Sequence, residues 1–176
     1  MILVIPLNSK LDFQKEEIYM AAPSLTVVDS TDKTVTIWDA GVVMANNDSN
    51  VLSITLWNNR GGSTNLSDLK EANITTLDPD GGALTDVVAN KWVRVNTPKL
   101  DGSTSVWTPV GGNVVKMLRA DGCTAADGYV IKGTANDGTL ANAKPNYVTI
   151  NLKHHVPAGA TTGIRDFKTR INGYYT

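Results

Sequence analysis

Residues 57–62, Trp57-Asn58-Asn59-Arg60-Gly61-Gly62, carry a set of side chains that could do recognition chemistry. An indole ring can stack on a sugar, carboxamides and a guanidinium can bond to hydroxyls, and glycines let a ligand approach the backbone. The same composition suits a protein–protein hot spot. With Trp107 as a further aromatic, Trp57, Asn58, Asn59, Arg60 and Trp107 are the candidate contacts for a glycan or a partner protein. A plainer role stands beside this one. The stretch ends an apolar alternation, so it also reads as a strand end and turn, with the tryptophan covering a sheet face or packed under a loop.

Other reactive residues point to less. His154 and His155 are adjacent in an apparent strand, so they face opposite ways and cannot share a metal without partners from elsewhere. Cys123 is the only cysteine, which excludes an intrachain disulfide and reads as a small buried hydrophobe. Asp78-Pro79-Asp80-Gly81-Gly82 hints at a calcium loop, but the third acidic ligand is missing and Ala89 stands where an EF-hand needs its glutamate. It reads as a tight turn. Nucleophile-elbow, zincin, P-loop and dinucleotide-binding patterns are all missing. Asn47, Asn65 and Asn73 begin Asn-x-Ser/Thr triplets, which an Asn- and Thr-rich chain produces by chance. No enzymatic activity, metal or cofactor is expected.

The chain has 176 residues, 41% hydrophobic and 19% charged, with net charge −1. That length fits one domain with a tail or insert. The charge balance gives no basic excess for nucleic acid, and the apolar content is too high for disorder. The start, MILVIPLNSK, is apolar but short and without a basic leader, so neither a signal peptide nor a membrane span is expected.

The elements that must hold these residues read as strands. Val35 and Ile37 alternate with Thr34, Thr36 and Trp38 over 34–41, and Leu52, Ile54 and Leu56 with Ser53, Thr55 and Trp57 over 51–57. Over 146–156, Val148, Ile150 and Leu152 point in while Tyr147, Thr149, Asn151 and Lys153 point out. Residues 70–77, 91–96, 113–120 and 165–175 are further runs, the last with Phe167 and Ile171 inward. Turn chemistry at 78–82, 100–104, 110–113, 119–122, 136–139 and 157–163 separates them. Period-two alternation with one polar face predicts antiparallel sheets closing on a shared core. Six side chains carry that expectation: Leu52, Ile54, Leu56, Val148, Ile150 and Leu152.

Two segments also resemble known modules. Residues 37–62 are similar to the opening of many immunoglobulin-like sandwiches, through Trp38, Gly41, Val43, Leu52, Ile54, Leu56, Asn58 and Gly61. Residues 148–175 resemble the closing hairpin of bacterial and phage immunoglobulin-like modules, through Val156, Pro157, Gly159, Gly163, Ile171, Asn172 and Gly173. The whole resembles virion proteins of tailed bacteriophages. The resemblance implies an all-β, immunoglobulin-like antiparallel β-sandwich over 23–176; the composition of residues 1–22 reads as an arm or short helix outside it, and residues 78–140 depart from a minimal seven-strand module and read as an insertion or long hairpins.

It further implies a non-enzymatic module on a capsid or tail, made in the host cytoplasm and found in the virion. Its partners would be other virion proteins, in a homo-oligomer or multi-copy assembly, without nucleic acid or membrane insertion. The arm would dock through Ile2, Leu3, Val4, Ile5, Leu7, Phe13 and Ile18. The alternative is a carbohydrate-binding or adhesin module on a tail, baseplate or cell surface, reading a host glycan through Trp57, Asn58, Asn59, Arg60 and Trp107.

Overall fold

A computed structural model describes residues 20–175. The expected arm residues Ile2, Leu3, Val4, Ile5, Leu7, Phe13 and Ile18 lie outside that range. In chain order the strands are β1 (Leu25–Asp29), β2 (Asn47–Asp48), β3 (Leu52–Asn58), β4 (Leu69–Leu77), β5 (Val93–Asn96), β6 (Thr108–Val110), β7 (Lys116–Met117), β8 (Val130–Ile131), β9 (Tyr147–Val156) and β10 (Lys168–Tyr174). Two one-turn helices, α1 (Asp86–Ala89) and α2 (Pro98–Asp101), flank β5. One sheet runs β1-β3-β9-β5-β6, with β2 also paired to β9. The other runs β10-β4-β7, with β8 also paired to β4. Every pairing is antiparallel. The protein is an all-β sandwich.

The centre of the core follows directly from alternation. β3 and β9 pair Leu52 with Leu152, Ile54 with Ile150 and Leu56 with Val148, which puts all six side chains on one face in three directly opposed pairs. Five of them are buried and Leu52 packs half-buried against the same cluster. The facing sheet contributes Leu69, Ala72 and Ile74 from β4 and Leu118 after β7. Slipping this register by one residue would turn the whole set to the other face, so burial fixes it. Residues 78–140 supply β5 through β8, strands of both sheets.

Several expectations need correction. The alternation over 34–41 does not make a strand. Only Thr34 bridges to Val28, the chain then leaves the sheet, Ile37 ends 85% exposed and Trp38 turns onto the core. Residues 113–120 form only the two-residue β7. Leu25–Asp29, which shows no clear alternation, is β1, because β3 offers it a free edge from Ile54 to Asn58.

Candidate functional site

The Trp57 stretch comes first because it has the most suggestive composition. Trp57 projects from the outer face of the larger sheet, opposite the main core, and is only 1% exposed. It forms a second cluster with Val28, Ala143 and Tyr147, its ring 4.7 Å from that of Tyr147, and the Tyr147 hydroxyl donates to Leu140 O from below the 137–143 loop. A ring covered on both sides offers no stacking surface, so the glycan contact expected of Trp57 is corrected to packing under a loop.

Asn58 and Asn59 are buried as well, at 0% and 6% exposure. Asn58 Nδ2 donates to Ser67 O and Ile131 O, while its Oδ1 accepts from Ser24 N–H. Asn59 stands at φ 60°, a left-handed conformation that asparagine tolerates, and its Nδ2 donates to Thr64 O and Gly133 O. Asn146, 1% exposed, donates to Lys132 O and Thr134 O. These carboxamides cap the end of the sandwich where β strands give way to loops, satisfying carbonyls that no ladder reaches. Asn58 and Asn59 are therefore structural pins, not free recognition groups. Arg60 is half-buried; it pairs with Asp32 and lies with its guanidinium carbon 5.4 Å from the Trp57 ring centroid. Trp107 is likewise half-buried and sits apart on β9's outer side, with Lys153 Nζ 4.4 Å from its ring centroid.

The opposite end of the sandwich holds a cleft that sequence reasoning missed. Alternation along β9 carries the inward set one step past Leu152 to His154, which pairs in register with Val93. His154 is 7% exposed and stacks on Phe167, at 5.6 Å and 15°. Trp38 and Trp92 meet it edge-on at 6.3 and 6.0 Å. Burial alone pushes the imidazole below its ordinary range, so it is held neutral. His154 Nε2 and Trp92 Nε1 are buried without a hydrogen-bond partner among the described residues. The loops 37–43 and 161–167 wall this aromatic floor and enclose about 740 Å³. A second gap of about 440 Å³ continues from it between the sheets, reaching Ile54, Ile74 and Leu152. The two share Ile37, Trp38, Arg165, Asp166 and Phe167.

The remaining reactive groups are committed to the fold. His155 points outward as expected and its Nδ1 lies 2.7 Å from Asp48, which also takes Lys153 Nζ at 2.6 Å. Asp78 closes the Asp-Pro-Asp-Gly-Gly turn and accepts from Leu84 and Thr85. Asp121 accepts from Thr149 N–H and Oγ1, completing β9 where β5 does not reach. The Cys123 thiol is half-buried, raised first by desolvation and then by Asp127. Among the described residues no three His, Cys, Asp or Glu side chains group to hold a metal, and no helix is long and apolar enough to cross a membrane. Compared with protein-family models, curated proteins and solved structures, the chain matches none.

Proposed function

We propose that this chain is a non-enzymatic structural module of a tailed-phage virion, an immunoglobulin-like body that decorates or joins capsid or tail subunits. One observation carries the assembly part of this reading. Ile37, Val42, Met44 and Ile164 stand 85%, 101%, 74% and 90% exposed around or beside the mouth of the aromatic cleft. Exposed apolar patches of this kind mark protein-interaction surfaces, since leaving them in water is costly and invites aggregation. Among the described residues Asp29, Asp39, Asp78, Asp80, Asp127 and Asp137 are engaged in turns and caps, which supports a scaffold over a catalyst. The virion part rests on the resemblance of the whole chain to tailed-phage virion proteins and of residues 148–175 to bacterial and phage modules.

The module acts as a rigid body presenting an adhesive end and the amino-terminal arm to neighbouring subunits. The test is mass spectrometry of purified particles from cells that express this gene. The expected result is the full chain as a multi-copy component, lost from particles when residues 1–19 are deleted. Its absence from particles, or undiminished incorporation of the truncated chain, overturns the reading.

A further inference from the structure

The cleft and the start of the described chain lie at opposite ends of the sandwich. β1 runs from Leu25, paired with Asn58, to Asp29, paired with Ile54. Traced backwards, the chain therefore leaves at the asparagine-capped end. There Ser67 N–H donates to Ala21 O and Asn59 N–H to Ser24 O, fixing residues 21–24 across that end. The cleft sits at the far end of β9, at His154 and Val156. From the level of Tyr147 to His154 is seven residues of strand, about 23 Å, and Met20 is held at the Tyr147 end, its carbonyl accepting from Ser67 Oγ.

Beyond Met20 lie residues 1–19, and their first seven include Ile2, Leu3, Val4, Ile5, Pro6 and Leu7. β-branched residues and a proline favour extended backbone over helix. An extended apolar peptide is what the cleft and its continuation fit. Its depth is aromatic, its floor runs on into an apolar seam between the sheets, and β10 borders that seam as an edge strand with one side unpaired among the described residues. A peptide also supplies a carbonyl and an N–H at each residue. Those are the partners that Trp92 Nε1 and His154 Nε2 lack.

We propose that the cleft receives residues 2–7 of a second copy of this chain, so that copies join head to tail. This rests on the assembly reading above and names its partner. The twelve residues 8–19 span at most about 40 Å. A return to the chain's own cleft would require a reversal at the capped end and a path of more than about 23 Å back along the sandwich. An onward path into a neighbour needs neither. Because donor and acceptor surfaces differ, the contact is heterologous, and repeating it makes a ring or a filament.

Native mass measurement on three proteins tests this. The first is the full chain, the second lacks residues 1–19, and the third keeps the arm but carries V42E and I164E. Both substituted side chains are exposed at the cleft, so the third protein keeps its fold, checked by circular dichroism. The full chain is expected as an oligomer and each of the other two as a monomer. An equimolar mixture of those two is expected to give a one-to-one heterodimer and nothing larger, since one lacks an arm and the other a cleft.

A monomeric full chain overturns the proposal, including the case in which the arm fills its own cleft. So does a truncated chain that assembles unaided, a V42E/I164E chain that assembles like the full one, or a mixture that stays monomeric. A full chain that is monomeric in solution but lost from particles on truncation overturns head-to-tail pairing and leaves the virion reading standing. A chain that self-assembles through its arm but never enters particles does the reverse.

Discussion

Replacing Asn58 tests whether the Asn-Asn pair is structural or surplus. Asn58→Ala removes three hydrogen bonds at once: Ser67 O and Ile131 O lose a partner in a fully buried position, while Ser24 N–H, nearer the surface, can turn to water. Each buried group left unpaired costs about 1–3 kcal/mol. Allowing for partial relaxation, the expected loss is about 3–5 kcal/mol, a large share of the roughly 5–15 kcal/mol typical of a domain. In urea, with a slope of about 2 kcal/mol per molar, the midpoint should fall by about 1.5–2.5 M. Asn58→Asp sharpens the test. It keeps the acceptor for Ser24 N–H but turns a carboxylate oxygen toward two carbonyls. Burial and those carbonyls raise its folded pKa above the unfolded value. The native state then binds the extra proton, so the variant's deficit against the parent grows as pH rises from the carboxylate range to neutrality. Equilibrium urea unfolding at acidic and neutral pH measures both. An Asn58→Ala loss under about 1 kcal/mol, or an Asn58→Asp deficit independent of pH, refutes the view that these amides pin the sandwich end.

Three further outcomes follow from the same geometry. Burial holds His154 neutral, so the unfolded chain takes up a proton first and stability should fall as pH drops below about 6.5; His154→Phe, measured by thermal unfolding across that range, should flatten this limb relative to the parent. At Asp101 burial would raise the carboxyl, but bonds from Lys116 and Thr97 outweigh it and hold it below its ordinary range. The stability it gives is present above the unfolded value and lost as pH falls through the folded one, so Asp101→Asn should be less stable at neutral pH and lose less on acidification. Gly133→Ala should destabilise by about 2 kcal/mol or more in urea melts, because its new Cβ would meet Leu66 O at 2.3 Å and Ser67 O at 2.5 Å, backbone atoms that cannot yield cheaply.

Alternation made the centre of this fold legible. Ile54 opposite Ile150 and Leu56 opposite Val148 are readable from period two alone, because a strand has only two faces and burial chooses one. The same rule, carried one step past Leu152, places His154 inward, and that signal was there to be used. Short segments were less legible. Leu25–Asp29 has no clear pattern and becomes a strand because an edge is available, while Thr34–Gly41 has the pattern and lies outside the ladder after one bridge.

Composition left two roles open to this stretch for a physical reason. A Trp-Asn-Asn-Arg stretch has the same side chains whether it faces a ligand or its own backbone. Which it faces depends on the 137–143 loop closing over Trp57 and on carbonyls of Ser67 and Ile131 arriving from distant sequence. The sequence by itself determined strand periodicity, turn chemistry and the inward set, because these are local properties of backbone and side-chain direction. Tertiary structure alone decided that asparagines cap one end while Trp38, Trp92, His154 and Phe167 gather at the other, because that gathering joins four separate segments through contacts no local pattern encodes.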